Sequence, residues 1–220
     1  HGHTADLFIV KTWNNMSMLI NRIRETKPDV LAFSVFNSNF QSSVKISSYL
    51  RKHFPKLLQV MGGIHLILCP NDIEKARDID AICTGEGEFV FIDFLERYER
   101  HNHSHLHTEG FWTRYKNKIY KNPTIPFITD LDILPFPDRS IMDKQINLSL
   151  YYDNQACLDF LFTRGCPFSC TYCSNHALRK VYGKKNYLRH LSPKRAIEWI
   201  KHDIAHYDCD GIIIHDETFT

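Results

Sequence analysis

Three cysteines crowd into eight residues of this chain: Cys166, Cys170 and Cys173, in the run Arg164-Gly-Cys-Pro-Phe-Ser-Cys-Thr-Tyr-Cys173. The spacing is Cys-x3-Cys-x2-Cys, directly after an apolar run from Cys157 to Thr163. Thiolates are soft ligands, suited to iron–sulfur clusters and to zinc. Three protein ligands on a four-iron cluster leave one iron open, and an open iron can bind a substrate or cofactor and pass it an electron. Two other readings stand beside this one. A tetrahedral zinc site would take a fourth ligand from elsewhere, such as His176, although zinc sites favour paired Cys-x2-Cys knuckles and there is one here. Three unligated core cysteines are the other, although cysteines packed as core residues are not usually set three together beside Pro and Gly in a loop.

A second group of residues sits where strands are expected to end. Ser34 to Ser38, Gly62-Gly63-Ile-His65 and Gly85-Glu-Gly-Glu88 each follow an apolar run. In open parallel sheets ligands bind beyond the C-terminal strand ends, and glycines let the backbone come close to them. Plainer roles exist for each: a turn at Gly62-Gly63, helix-dipole complementation by Glu86 and Glu88, and a hydrogen-bonded structural role for His65. The run His101-Asn-His-Ser-His-Leu-His107 has metal-binding side chains. Its spacing fits neither strand nor helix, and it reads as a solvated loop.

These groups must be positioned by regular elements. Residues 5–10 read as a short strand, and residues 16–26 as an amphipathic helix through Met16, Leu19, Ile20 and Ile23, closed by Pro28. Val30 to Phe36 is a near-continuous apolar run, expected to be a strand buried on both faces. A helix from about Ser42 to His53 carries Ile46, Tyr49, Leu50 and His53 on one stripe. Leu57 to Met61 is a strand, Asn71 to Arg77 a weak helix and Asp80 to Thr84 a strand. A helix then runs to about Arg100 with Phe91, Phe94, Leu95 and Tyr98 inward. Such alternation predicts a parallel sheet with right-handed crossovers. Residues 111–121 suggest a hairpin turning at Lys116-Asn117, and Pro123, Pro126, Pro135 and Pro137 mark a linker. Cys157 to Thr163 starts a second βαβ unit. Ser192 N-caps a helix with Pro193 in its first turn, with Ile197, Ile200 and Ile204 as its apolar face. Gly211 to Ile214 is the closing strand. The partition is thus 1–105, 106–150 and 151–220.

Composition sets the frame: 220 residues, 43% hydrophobic, 24% charged, with a formal net charge of +2. This balance supplies no argument for nucleic acid or a membrane surface. No run reaches the roughly 18 apolar residues of a spanning helix. The seven cysteines are odd in number and unevenly spread, unlike a disulfide framework, which points to a reducing cytoplasm. The chain opens on His1 rather than Met and stops in a loop after a strand, so the sequence reads as a fragment.

The run Arg164 to Asn175, with aromatic Tyr172 before the last cysteine, resembles the cluster loop of radical S-adenosylmethionine (SAM) enzymes. The resemblance implies that Cys166, Cys170 and Cys173 ligate a 4Fe–4S cluster whose open iron takes the amino and carboxyl groups of SAM, with Tyr172 near the adenine. His215-Asp-Glu-Thr-Phe-Thr220 resembles an acidic strand end of that family, where Asp216 or Glu217 would meet the SAM ammonium; the family's Gly-Gly-Glu motif is absent there, and a solvated or capping role for these acids stays open. Lys27-Pro-Asp-Val-Leu-Ala-Phe-Ser34, Met61-Gly-Gly-Ile-His65 and Thr84-Gly-Glu-Gly-Glu88 resemble, in order, the cobalamin-binding domain that precedes the barrel in one large subgroup. Leu134-Pro-Phe-Pro-Asp138 resembles its bridge into the barrel. The implied cobalamin contacts are Ser34, Gly62, Gly63, His65, Gly85, Glu86 and Gly87. The implied fold is α/β: a partial Rossmann-like (flavodoxin-like) parallel sheet, then the first βαβ unit of a TIM-type barrel. The match begins near the family's second strand, at Gly2-His3. It contains no Asp-x-His-x-x-Gly motif that could supply a histidine to cobalt, and most of the barrel is missing. The implied activity is cleavage of SAM to a 5′-deoxyadenosyl radical and, with cobalamin, transfer of a methyl or related group to an unactivated carbon. Ring closure or rearrangement on the same two domains is the alternative, and a non-catalytic zinc-stabilised binding module is the rival from another class. The implied partners are a small-molecule or natural-product substrate and a reducing donor such as flavodoxin or ferredoxin.

Overall fold

The structure, a computed structural model, describes residues 2–143, 156–183, 185 and 187–218. The chain divides into two compact units, Val10–Phe127 and, separately, Ile128–Thr220 with Gly2–Ile9. Among the described residues no helix is long and apolar enough to cross a membrane.

The first unit is built on a five-stranded sheet in the order β1-β2-β3-β4-β5. Helix α1 (Met16–Thr26) buries Met16, Leu19, Ile20 and Ile23, the helical stripe expected of it. It stops at Lys27, whose left-handed backbone (φ 46°) turns its N–H back to the Ile23 carbonyl. β1 (Val30–Ser34), β2 (Leu58–Gly62) and β3 (Ala81–Cys83) are parallel, joined by α2 (Phe40–His53), then by α3 (Ile64–Leu68) and a 3-10 turn at Pro70–Glu74. α4 (Gly87–Glu99) follows β3. The sheet buries two cores, one on each face. Val35, Phe40, Met61, Leu66, Ile73, Ile79 and Ile82 form one. Leu58, Val60, Ala81, Cys83, Val90, Phe94 and Phe111 form the other. Alternation along β2 and β3 sends Met61 and Ile82 to one side and Val60, Ala81 and Cys83 to the other.

Several expectations are corrected. No strand forms over residues 5–10, because an apolar run becomes a strand only with a ladder partner. β1 is an edge strand with Ala32 and Ser34 exposed, not a strand buried on both faces. α2 turns Phe40, Ser43, Ser47 and Leu50 inward, so Ile46 and Tyr49 are only half-buried and His53 is exposed. The weak helix at 71–77 is the 3-10 turn, and α3 before it was not expected. The sheet is mixed, not parallel throughout. The hairpin β4 (Phe111–Tyr115) and β5 (Lys118–Lys121) turns at Lys116-Asn117, both with positive φ, as expected. It is no linker, however: β4 pairs antiparallel with β3, Cys83 opposite Phe111, and extends the first sheet.

The second unit holds a short helix α5 (Ser140–Asp143) and β6 (Cys157–Phe160). Its next elements are β7 (Thr163–Arg164), α6 (Ser174–Tyr182) and β8 (Arg189–His190), and it closes with α7 (Pro193–His206) and β9 (Gly211–Ile214). β6 and β9 pair in parallel, Cys157 opposite Gly211. The expected strand to Thr163 breaks after Phe160, and Thr163–Arg164 instead pairs antiparallel with β8. Ser192 caps α7 as expected, its hydroxyl accepting from the Arg195 N–H at 3.1 Å. The apolar face of α7 is not the expected one. Ile197 and Ile204 are each 52% exposed, whereas Trp199 packs edge-on to Phe160 at 5.2 Å and Asp203 is fully buried. Asp203 accepts from Arg139 Nε at 2.7 Å and Trp199 Nε1 at 2.9 Å. Arg139 also donates to the Asp159 carbonyl and lies over the Phe160 ring. This network ties the end of the Pro-rich segment to both strand and helix. The stretch 144–155 and the positions 184 and 186, within the expected linker and second domain, lie outside the described residues.

Candidate functional site

The parallel strands of the first unit end together. Ser34 sits opposite Gly62, and β3 ends beside them at Cys83. The chain then crosses over this edge on backbone bonds: Val35 N–H to the Gly62 carbonyl at 2.8 Å and His65 N–H to the Val35 carbonyl at 3.3 Å. Gly63 has φ 109°, and a Cβ there would lie 2.6 Å from the Val35 oxygen. Its missing side chain therefore serves the protein's own chain crossing. Gly62 has ordinary room, with Cys83 Cβ at 3.6 Å, and a Cβ on Gly87 would meet nothing within 4 Å. Ser34 is exposed, and its carbonyl accepts from the Asn39 amide at 3.3 Å. Gly85 is buried, its carbonyl accepting from the Cys83 thiol at 3.4 Å. Glu86 precedes α4 and Glu88 lies in its first turn, where an anion suits the helix dipole.

His65 takes a different place from the one expected. Its ring is 7% exposed, stacks on Phe40 at 4.2 Å, and shares a hydrogen bond between Nε2 and Asp72 Oδ2 at 3.1 Å. Asp72 is held below the usual carboxylate range, chiefly by the hydrogen bond from Lys75 and secondarily by His65. His65 braces the edge from behind and presents no ring to a ligand. What remains at the edge is backbone, small side chains, the half-buried Glu86 and the exposed Phe36, an open surface on which a large, flat group could lie. That fits cobalamin in kind.

In the second unit the cysteine loop has little regular structure and is held by side chains. Cys173 starts α6, and its N–H bonds the Cys170 carbonyl at 3.1 Å. Cys166 is buried, Cys173 half-buried and Cys170 exposed. Arg179, from α6, donates to the Cys166 carbonyl, to the Phe168 carbonyl at 2.8 Å and to Ser169 Oγ at 3.2 Å. Its guanidinium stands 5.5 Å from the centre of the Tyr187 ring. Tyr187 donates to Asn175 Oδ1 at 2.7 Å, and Asn175 Nδ2 donates to Cys173 Sγ at 3.6 Å. Burial pushes the Tyr187 hydroxyl up to about 12, so it stays a donor. Gly165 (φ 88°) packs so closely on the Tyr187 carbonyl and ring that no side chain would fit. Arg179, Tyr187 and Asn175 brace the loop in a way that motif spacing does not reveal, because they reach its backbone and the Cys173 sulfur from outside the motif.

The other expected residues of this site are placed as follows. Tyr172 is 92% exposed. Asp216, after β9, accepts at one oxygen from the N–H groups of Phe162 at 2.7 Å and Thr163 at 3.0 Å, anchoring the start of the loop. Glu217 is exposed beside it. Cys166 Sγ lies 3.5 Å from Thr218 Oγ1.

The donor set suits a cluster. Three thiols, with an amide N–H directed at one sulfur, are the ligands and outer hydrogen bond that an iron–sulfur cluster uses. Among the described residues no three His, Cys, Asp or Glu side chains, the three cysteines included, converge as a ready-made site for one metal ion. His176, the candidate fourth zinc ligand, directs Nδ1 to the Cys173 carbonyl at 2.7 Å.

Residues 2–95 match the B12-binding domain family. The chain is 25% identical over 222 residues to the anaerobic magnesium-protoporphyrin IX monomethyl ester cyclase of Rubrivivax gelatinosus, covering 98% of this chain and 39% of the relative. It is 26% identical to the cobalamin-dependent radical SAM methyltransferase TokK of Streptomyces tokunonensis, covering 88% of this chain and 28% of that one. It thus spans less than half of either relative. Its fold matches the cobalamin-dependent SAM radical enzyme OxsB with a TM-score of 0.70 at 20% identity, over 93% of this chain and 27% of that structure. The structure of the radical SAM methyltransferase TsrM from Kitasatospora setae, with cobalamin and [4Fe-4S] cluster bound, matches with a TM-score of 0.68 at 15% identity, over 93% and 41% of the two chains. The chain thus carries a B12-binding domain match over residues 2–95 ahead of its Cys-x3-Cys-x2-Cys loop, and it is similar along most of its length to cobalamin-dependent radical SAM enzymes.

Proposed function

We propose that this chain forms the cobalamin-binding part and the cluster-binding opening of a radical SAM enzyme that transfers a methyl or related group to an unactivated carbon. One observation carries the reading: a B12-binding match over 2–95 and, in the unit that follows, a three-thiol loop braced by side chains. When bound, the cluster supplies the electron that cleaves SAM to methionine and a 5′-deoxyadenosyl radical, and cobalamin supplies the methyl group. The chain's own residues hold these groups. Cys166, Cys170 and Cys173 ligate the cluster; Arg179 and Asp216 fix the loop that carries them. Tyr172 covers the adenine, and Glu217, with the remaining oxygen of Asp216, faces the SAM ammonium. Ser34, Gly62 and the Gly85-Glu86-Gly87 turn line the cobalamin edge, with Gly63 and His65 supporting it. In this reading the second unit is the start of a TIM-type barrel. The substrate is a small-molecule or natural product, and a flavodoxin or ferredoxin is the reductant in a reducing cytoplasm.

Ring closure is the second reading, favoured by the likeness to the Rubrivivax cyclase along nearly the whole chain. The test is anaerobic reconstitution with iron and sulfide, followed by EPR of the reduced protein with and without SAM, and cobalt analysis after incubation with cobalamin. A cluster signal that changes on adding SAM, with bound corrinoid, is expected. A colourless protein holding zinc and no iron would overturn the cluster assignment, and retention of no corrinoid would overturn the cobalamin assignment.

A further inference from the structure

The histidine run at 101–107 is not a plain solvated loop. It lines an open cavity of about 360 Å³ in the first unit. The cavity opens beside Leu58 and Ala81, the first residues of β2 and β3. It therefore lies at the opposite end of these strands from Ser34, Gly62 and Gly85. Its size is that of a small-molecule pocket.

The floor is aromatic and apolar: Phe94 and Tyr98 of α4, with Leu58 and Leu106. His105 stands edge-on to both rings, 5.7 Å from Phe94 and 5.1 Å from Tyr98. Its Nδ1 is buried and has no hydrogen-bond partner among the described residues. Burial, and then His103, lowers its pKa, so the ring is neutral at neutral pH. His103 lies against Tyr115, ring centres 4.6 Å apart. His101 and His103 both hold left-handed backbones, φ 52° and 63°, an arrangement that non-glycine residues keep only where the surroundings enforce it.

The charges at the rim are unequal. Asp80 is already engaged, accepting from Arg51 at 2.6 Å and from the Gln59 N–H at 2.8 Å. Arg114 donates to the carbonyls of Ile79 and Ile73, which are neutral partners. Lys56 stands exposed at the mouth. An excess of positive charge over an aromatic floor selects an anion with a flat body. One exposed ammonium and one already-donating guanidinium match a monoanion better than a phosphate. No three metal-ligating side chains among the described residues converge here either.

We propose that this cavity binds a small aromatic carboxylate, its ring laid against the aromatic lining of the cavity and its carboxylate directed to Lys56. The site is distinct from the cobalamin edge and holds whether or not that edge takes a corrinoid. The test is titration of the full chain with indole-3-acetate, read in the imidazole resonances of an aromatic ¹H–¹³C NMR spectrum. Indole-3-acetamide serves as the neutral twin. Saturable shifts centred on His105 and His103 are expected. Binding should weaken by about tenfold for the acetamide and for Lys56→Gln, the loss of one charge-assisted contact. Lys56 is exposed, so that variant keeps the fold; His105→Phe should abolish the shift of His103. The proposal is overturned by absent or evenly spread shifts, by equal binding of acid and amide, or by displacement of the probe with hydroxocobalamin. Zinc perturbing these rings where indole-3-acetate does not would overturn it too.

Discussion

The strand-end edge of the first unit and the cysteine loop of the second are built by opposite means. At the edge, backbone bonds backbone: Val35 to Gly62, His65 to Val35, and Thr84 N–H to the Gly110 carbonyl at 2.8 Å. Side chains are small or turned away, the exposed Phe36 and the half-buried Glu86 apart. At the loop, side chains hold backbone: Arg179 gathers two carbonyls, and Asp216 takes two N–H groups. The difference follows from what each presents. A broad ligand needs an open surface, and a sheet ladder can hold such a surface by itself. Thiolate ligands must project from a loop, and a loop with few ladder bonds is fixed only by contacts reaching it from other elements.

The two regions should therefore fail differently. In the second unit the largest expected effect is at Arg139. Arg139→Met leaves Asp203, fully buried, with its Trp199 and His202 partners but without the guanidinium. Loss of about 3 kcal/mol is expected, read by urea unfolding through Trp199 fluorescence with Trp13 and Trp112 replaced by Phe. Adding Asp203→Leu should recover most of it, since removing both charges avoids the unpaired one; a double variant as unstable as the single would refute this account. In the first unit the sensitive group is backbone. Gly63→Ala meets both a left-handed φ and the Val35 carbonyl and should cost about 2–3 kcal/mol. Gly87→Ala, with open space around it, should stay within about 0.5 kcal/mol of the parent. Equal effects of the two glycine variants would mean that the chain crossing is not what Gly63 serves.

Arg179 tests the loop directly. Arg179→Met removes a charged donor from the Cys166 and Phe168 carbonyls, worth about 2 kcal/mol. It should reduce iron retained per chain after reconstitution, although Arg179 is no ligand. Arg179→Lys should restore little, because one ammonium cannot reproduce the fork that reaches three acceptors. Iron loading unchanged in both variants would show that the loop needs no such brace.

How far each region is legible in the sequence follows the same division. The Cys-x3-Cys-x2-Cys spacing, the Ser192–Pro193 helix start and the hairpin turn at Lys116-Asn117 are local signals, and the structure bears out the helix start and the turn. What is not legible is long-range. The separation of 35 positions between Arg114 and Ile79 gives no hint that β4 closes on β3, so the hairpin is legible but its place in the first sheet is not. Asp203 meets Arg139 across 64 residues, which turns α7 so that Trp199 and Asp203 are inward and the isoleucine stripe is not. The same holds for the partners of His65: a hydrogen-bonded structural role is one of its readings in the sequence, but the sequence does not say that Asp72, in the 3-10 turn, and Phe40, at the start of α2, fill it.

A smaller effect than at Arg139, Gly63 or Arg179 is expected from a thiol of the first region. Cys83 ends β3 in the second core, 6% exposed, with its thiol donating to the Gly85 carbonyl. Burial raises its pKa to about 11, with Glu88 adding to the rise. Above pH 9 the unfolded chain releases this proton while the folded one keeps it. Stability is thus intact below pH 9 and falls as pH rises toward 11, by about 1 kcal/mol at pH 10. Urea midpoints of the first unit at pH 8 and pH 10 check this, with Cys83→Ala as the reference. The reference should lose this slope while keeping contributions from other groups. If parent and variant have the same slope, Cys83 is open to solvent and the strand-end edge is looser than its backbone bonds imply. The slope would instead confirm that β3 is sealed up to its last residue, so that the crevice for a ligand begins only at the Gly85-Glu86-Gly87 turn.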